Sequence, residues 1–511
     1  MILTYEDGSE EVIVSDSSWQ WSNDGPWRYG SIFQGEIYDA GREGNGSWSP
    51  AVEVPLEDIV SHEPARRGFM SWPTVDDFSA FRLVAQLGLP VREYQRLKAE
   101  SAREAGKDTF IYDMGQNMPG VPCITFRDLK PGTVVKVRFA EVLYPDLPEY
   151  KGKAGQMMLE NLRSAMAQDI FIAAGGEETF QPRFTYHGYR YVEIEGIDHP
   201  LPLDDVEGVV FSTIDRITMD YQSDNALLNR FVENVKWSSL ANVFSVPTDC
   251  PQRNERMGWN GDLSVFCPAL SYVFEGPAFL QRHLQALRDN INAEGVYPAI
   301  APVGGGFGGT LWESVGIIMP WQDYLQYNDL ESLREHYPSM VRYMEHVLSI
   351  IDSDGDNAWR GAPGSLGDWL GFEVQKNENP LIFDCYLVYE LTILGKMAEA
   401  LGEDSARWKE SCSQRKAFIA EHYFDAEGVS RRLNGDKVDA QTSYAVALAL
   451  DVLDEPLKGK VLQQLVRVVE TPGPGDDGTE YPAYSLMTGF IGTPWINSPF
   501  LIMGGPTWHI G

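Results

Sequence analysis

The stretch Val246-Pro247-Thr248-Asp249-Cys250-Pro251-Gln252-Arg253-Asn254-Glu255-Arg256-Met257-Gly258-Trp259-Asn260-Gly261-Asp262 is the part of the chain best equipped for chemistry. Asp249, Glu255 and Asp262 supply three carboxylates, Arg253 and Arg256 two guanidinium groups, and Trp259 an indole, all within fourteen residues. That set suits the hydrolysis of a glycosidic bond: one carboxyl protonates the leaving oxygen, other polar groups grip hydroxyls, and an aromatic face packs on the sugar's C–H face. Pro247 and Pro251 hold the first part off helical geometry, and Gly258 and Gly261 let the backbone pass close to a ligand. The stretch therefore reads as a loop feeding a helix. A solvated, salt-bridged loop would have the same composition, so composition alone leaves both readings open. A Trp and a Cys inside the charged run favour a packed cleft.

Other suggestive runs carry less. Gly304-Gly305-Gly306-Phe307-Gly308-Gly309 follows no parallel strand and lacks the Lys-Ser/Thr of a phosphate cradle, so it reads as a flexible loop near a site. Asp352-Ser353-Asp354-Gly355-Asp356 hints at calcium, but Asn357 and Pro363 stand where an EF-hand loop needs Gly and Glu, and a solvated turn is the better reading. The eight histidines show no H-x-x-x-H spacing. No metal site and no cofactor are expected.

The elements that must position the loop change character along the chain. Up to about residue 220, short alternating or β-branched runs such as Val12-Ile13-Val14, Thr133 to Leu143 and Tyr189 to Ile194 are broken by Gly, Pro and Asp, which predicts antiparallel β-sandwich modules. Tyr94 to Ala105, rich in Arg, Glu and Lys, reads as a link between two of them. After Asp220 the period becomes helical, as in Leu387, Leu391, Leu394, Met397 and Leu401. About ten helical segments are expected, starting near residues 224, 261, 278, 311, 330, 381, 404, 439, 456 and 482. Serial helical hairpins without strands point to a helical toroid. An (α/α)6 toroid needs twelve helices, so the count predicts a barrel that stops early. The domains expected are 1–95, a partial β-sandwich accessory module; 96–219, a second β-sandwich; and 220–511, the barrel.

Composition bounds the function. The 511 residues, 43% hydrophobic and 12% aromatic, suffice for two to four domains. Lys and Arg total 41 against 74 Asp and Glu, a formal charge of −33, which repels nucleic acid and anionic membrane and does not penalise neutral sugars. Five cysteines without C-x-x-C spacing argue against a disulfide framework or zinc ribbon. With no basic, apolar leader at Met1 and no long apolar run, a cytoplasmic location is the expectation, although the chain starts inside a hairpin turning at Asp7-Gly8.

From Asp249 to Asp262 the sequence resembles the bacterial α-L-rhamnosidases, family seventy-eight of the glycoside hydrolases. The family's loop reads Asp-Cys-Pro-Gln-Arg-Asp-Glu-Arg-x-Gly-Trp-x-Gly-Asp, and only Asn254 departs from it. The likeness extends to Gly35-Glu36-Ile37-Tyr38-Asp39-Ala40, Asp113-Met114-Gly115-Gln116-Asn117, Ala140-Glu141-Val142-Leu143 and Phe184-Thr185-Tyr186-His187-Gly188-Tyr189-Arg190-Tyr191. It continues in Met319-Pro320-Trp321, Gly367-Asp368-Trp369-Leu370 and Thr488-Gly489-Phe490-Ile491-Gly492-Thr493-Pro494.

The resemblance implies β-sandwich modules before an (α/α)6 barrel, and hydrolysis, with inversion, of terminal α-L-rhamnosyl residues from a rhamnose-containing glycoside or polysaccharide. Glu255 corresponds to the general acid. Asp249, Arg253, Trp259 and Asp262 match positions lining the rhamnose pocket, and Trp312 and Trp369 look like two further walls. Two departures stand out. Glu313-Ser314 follows Trp312 where Gly-Asp is usual, which leaves open a different hexose specificity. The family's base, a Glu after a Trp beyond the Thr-Gly-Phe element, has no counterpart before Gly511, so the barrel is expected to be incomplete, with Asp368, Glu313 and Glu480 as alternative bases. The rival expectation is a rhamnose-binding chain without turnover.

Overall fold

The computed structural model describes residues 1–44, 46–55, 65–67, 70–72, 84–354 and 357–499. Gly355 and Asp356 of the acidic run, and the terminal Pro506 to Gly511, lie outside them. The chain forms two compact units, the first including Leu89–Met257 and the second including the chain from Gly258 onward.

The first unit is sheet-rich, as the alternation predicts. Its strands are β1 (Trp27–Ser31), β2 (Gly35–Asp39), β3 (Arg92–Lys98), β4 (Ser101–Gly106), β5 (Thr109–Leu129), β6 (Val134–Ala140), β7 (Gln168–Ile172), β8 (Gly176–Phe180), β9 (His187–Glu195) and β10 (Val206–Ser212). They are hydrogen-bonded as one ten-stranded sheet in the order β1-β2-β7-β6-β9-β5-β10-β3, with β4 and β8 also on β5. Pairing is antiparallel except between β7 and β2, where Ile170 faces Ile37 in a parallel register. The alternating inward residues Ile124 and Phe126 of β5, Val135, Val137 and Phe139 of β6, Val192 and Ile194 of β9, and Val206 and Val210 of β10 form the core.

The expected link at Tyr94 to Ala105 is instead two strands, β3 and β4. Their charge has a physical reason: β4 is exposed throughout, and charged side chains discourage edge-to-edge pairing. On β3, Arg96 pairs with Glu93 and with Glu207 of β10. The Asp7-Gly8 turn does join two short strands, Ile2–Thr4 and Glu10–Val12, with Gly8 at φ 80°.

Ten helices follow among the described residues: α1 (Ala226–Asn242), α2 (Asn260–Val273), α3 (Pro277–Asn290), α4 (Thr310–Glu313), α5 (Val315–Tyr327), α6 (Leu330–Asp354), α7 (Asn379–Leu401), α8 (Ala406–His422), α9 (Gln441–Ala449) and α10 (Leu457–Glu470). Asn225 caps α1 by accepting from the Leu227 and Leu228 amides. This helix belongs to the first unit, where it packs on β5 and β10. In the second unit α7 is buried on nearly every face, from Leu381 to Ala398, while α10 buries only Val461 and Leu465. α7 packs against α8 and α9 against α10, as helical hairpins require.

The segment expected near 311 is split at Ser314 into α4 and α5, and none of the helices among the described residues starts near 482. There the amides of Gly489, Ile491 and Gly492 turn inward to the Asp368 carboxylate instead of to a helix's own carbonyls. No helix among the described residues is long and apolar enough to cross a membrane, and all five cysteines are free.

Candidate active site

The charged loop closes on itself within the first unit. The Asp249 amide donates to the Met257 carbonyl at 3.1 Å, and the Met257 amide returns a bond to Asp249 Oδ1 at 2.9 Å. Between these ends Arg253 bridges two carboxylates, with Nη2 3.0 Å from Asp249 Oδ2 and Nε 3.0 Å from Glu255 Oε2. The side chain of Asp249 is 5% exposed and that of Glu255 21%, so one guanidinium holds a buried and a more open carboxylate in fixed relation. Burial raises the Asp249 pKa, against the lowering by its hydrogen bonds.

The sheet supports this loop from below. Arg256, buried and at φ 56°, donates from Nη1 to the carbonyls of Tyr186 (2.7 Å) and Ile32, and its guanidinium lies 4.5 Å from the centre of the Tyr186 ring. Tyr186 belongs to the Phe184–Tyr191 run that carries the family likeness. His187 beside it is fully buried, hydrogen-bonded to Asp169 at 3.1 Å and stacked on Phe139. Glu141, from another matching run, faces Arg253 and accepts from Asn117, of a third, at 2.9 Å. Sequence motifs far apart thus converge beneath one loop.

Two contacts come from a segment that sequence reasoning did not single out. Arg163 Nη1 lies 2.7 Å from Glu255 Oε2, and the Ser164 amide donates to Asn254 Oδ1 at 3.2 Å. Nothing in the irregular stretch around Arg163 signals this approach, whereas the matched Ala140–Leu143 run could have drawn attention to Glu141. Asn254 keeps the acceptor an Asp would offer and omits its charge.

Asp249, Cys250 and Glu255 bring oxygen and sulfur atoms within 4.8 Å of one another. The set suits a cation poorly: Arg253 already supplies positive charge between the carboxylates, and burial pushes the Cys250 thiol up to about 12, keeping it protonated.

The other predicted residues lie in the second unit. Trp259 precedes α2; it is buried and meets Phe307 of the glycine-rich loop edge-on at 5.0 Å. Its indole nitrogen has no hydrogen-bond partner among the described residues. Asp262 sits in the first turn of α2, where a carboxylate favours the helix dipole. Gly258 and Gly261 make room for protein rather than for a ligand: a β-carbon at Gly258 would come within 2.1 Å of the Ala301 carbonyl oxygen, and one at Gly261 within 2.3 Å of the Trp312 ring. Trp312, on α4, is buried and stacks on Phe490 at 5.7 Å. The Phe490 amide donates to the Trp369 carbonyl at 2.7 Å, which ties the two expected walls together, while the Trp369 side chain is exposed.

The alternative bases fare differently. Asp368 is fully buried: Oδ1 accepts from the Ile491 and Gly492 amides at 2.9 Å each, and Oδ2 from Gly489 at 2.8 Å and from Thr442. It is a scaffold acceptor with no approach for a water. Glu313 is buried facing Tyr343, with its pKa raised to about 7 by burial. Glu480 lies exposed on a two-residue strand.

Comparison with known proteins agrees with this anatomy. Residues 217–506 match the bacterial alpha-L-rhamnosidase 6 hairpin glycosidase domain, 103–212 the concanavalin-like domain and 1–66 the N-terminal domain of the same proteins. The alpha-L-rhamnosidase of Streptomyces avermitilis is 32% identical over 96% of this chain and 44% of its own length; that of Alteromonas sp. (strain LOR) is 31% identical over 96% and 51%. The crystal structure of the Streptomyces avermitilis enzyme complexed with L-rhamnose superimposes with a TM-score of 0.82 at 30% identity, covering 99% of this chain and 45% of that one. The structure of the enzyme from Dictyoglumus thermophilum also gives 0.82, at 27% identity, with 99% and 54% covered. The chain spans about half the length of these relatives. A domain model covering more than half the chain leads to one conclusion: this protein belongs to the bacterial α-L-rhamnosidase family.

Proposed function

We propose that this chain hydrolyses terminal non-reducing α-L-rhamnosyl residues of glycosides or polysaccharides, with inversion at the anomeric carbon. The observation that carries the reading is Arg253 bonded at once to Asp249 and Glu255. Such a clamp divides the carboxylates by role. Asp249, with Oδ2 held by Arg253 and Oδ1 by the Met257 amide, is a fixed acceptor whose remaining lone pairs orient sugar hydroxyls. Glu255 has both its guanidinium contacts on Oε2, which leaves Oε1 as the atom to carry a proton to the glycosidic oxygen. Arg253 supplies a further hydroxyl partner within the loop; in the second unit, by itself, Trp259, Trp312 and Trp369 offer apolar surface and Asp262 a carboxylate suited to a sugar. Inversion requires a second carboxylate, about 6.5–9.5 Å from the acid, to activate water.

The test is the Glu255→Gln variant. Its turnover is expected to fall by orders of magnitude on rhamnosides with poor leaving groups and much less on aryl rhamnosides with good ones, which need little protonation. Equal losses on both would count against the acid role.

The burial of Asp368 and Glu313 on protein partners favours a second reading, rhamnose binding without turnover. Calorimetry with L-rhamnose beside an activity assay separates the two: binding with no hydrolysis supports this one.

A further inference from the structure

We infer that Arg163 makes this site selective for rhamnosides whose leaving group carries an anion, a carboxylate or sulfate, close to the glycosidic oxygen. The inference rests on Glu255 being the acid of a rhamnosidase.

The geometry begins with two guanidinium groups on one carboxylate oxygen. Arg253 and Arg163 both bond Glu255 Oε2, at 3.0 and 2.7 Å, but their situations differ. The Arg253 side chain is 27% exposed and keeps Asp249 as a second anion, whereas that of Arg163 is 59% exposed and has Glu255 as its sole ion-pair partner among the described residues. A proton on Glu255, which the acid role demands, cancels that partner's charge. Arg253 then still has Asp249, and Arg163 has none.

The leaving group supplies the replacement. A general acid lies within hydrogen-bond reach of the glycosidic oxygen, so substituents next to that oxygen on the leaving side come within a few ångströms of whatever else touches the acid. Arg163 touches it with a side chain that is itself mostly exposed. Its planar, permanently charged fork matches a carboxylate or sulfate bidentately. An anion there takes over the guanidinium at the moment Glu255 holds the proton.

The backbone indicates that the placement is specific. Arg163 has φ 59° and ψ −116°, a conformation glycine adopts readily and a residue with a β-carbon does not, at a cost of about 1–3 kcal/mol. The next residue is pinned by the bond from its amide to Asn254 Oδ1. A segment serving only to connect strands would place Gly at such a position. Here the strained residue is the one whose side chain reaches the acid.

The test is calorimetric binding of two non-hydrolysable ligands, the 2-carboxyphenyl and 2-carboxamidophenyl 1-thio-α-L-rhamnosides, whose ortho group lies beside the glycosidic atom, to the 511-residue chain and its Arg163→Gln and Arg163→Lys variants. The wild type is expected to bind the carboxylate at least about tenfold tighter at low salt, with the preference shrinking toward parity near 1 M, where charges are screened over about 3 Å. In R163Q the preference falls to within twofold while carboxamide affinity is kept, and R163K retains part of it. The inference is overturned if the wild type shows no preference, if salt leaves the preference unchanged, or if R163Q weakens both ligands equally, which would mark Arg163 as a positioning residue for Glu255. Should R163Q misfold, R163K and the wild-type salt dependence still decide. If the wild type binds neither ligand, the rhamnoside reading itself falls; binding of both without preference removes only the role of Arg163.

Discussion

Gly261 and Trp312 compete for one space: a β-carbon on the glycine would lie 2.3 Å from Cε2 of the indole. Gly308 presses on the same ring, where an added β-carbon would lie 2.5 Å away, and Phe490 stacks on it. The indole therefore sits in a slot that admits no extra methyl. Gly261→Ala must push the ring aside or lift the first turn of α2, at a cost of about 1–3 kcal/mol. A melting temperature lower by a few degrees is expected, with L-rhamnose binding weakened at least several-fold in calorimetry. Unchanged affinity would remove Trp312 from the sugar pocket.

Asp368 holds the Gly489–Gly492 turn through backbone amides on both its oxygens. Asparagine would turn an NH2 toward amides that need an acceptor, leaving at least one buried donor unpaired at about 1–3 kcal/mol. Asp368→Asn should therefore lower the urea midpoint and loosen the Trp312–Phe490 stack, visible in near-ultraviolet circular dichroism. A variant that keeps its stability and loses only turnover would instead return Asp368 to the role of base.

How far the sequence carried this reading depends on range. The loop and the helices after it were legible because spacing and residue type are local properties. The strands at Tyr94–Ala105 were misread as a link because an exposed edge strand has the composition of a linker. The non-helical run after Tyr481 was misread because what holds it, the Asp368 carboxylate, lies more than a hundred residues earlier. Arg163 was invisible for the same reason, 92 residues from Glu255 in sequence and in an irregular segment. Gly258 and Gly261 were rightly singled out as sites of close approach, but local sequence could not say that the approaching atoms belong to Ala301 and Trp312.

Arg253 bonds two carboxylates through different nitrogens, a geometry that an ammonium cannot reproduce. Arg253→Lys keeps the charge and loses the bridge. If the bridge fixes Glu255, kcat/KM on rhamnosides with poor leaving groups falls at least about tenfold, about 1.4 kcal/mol or more of transition-state stabilisation. A near-normal kcat/KM would show that charge alone suffices.

Glu390, in the middle of α7, is fully buried beside Glu313 of α4, and its Oε1 has no hydrogen-bond partner among the described residues. Burial, opposed by a bond to Ser314 and aided by the Glu313 charge, raises its pKa from 4.5 to about 8. The sign follows from linkage. A carboxyl whose pKa rises on folding keeps its proton in the native state over a range where the unfolded chain has lost it. Stability is then fully present below the unfolded value of 4.5 and drains away as pH climbs to about 8, by up to about 1.4 kcal/mol per pH unit for this group. Glu390→Gln places a permanently neutral amide at the same position. Any fixed cost of the amide is equal at every pH, so the readout is the difference in melting temperature between variant and wild type. That difference should move in favour of Glu390→Gln by several degrees from pH 5 to pH 8 and stay level beyond. A difference independent of pH would mean that Glu390 reaches solvent and ionises without cost.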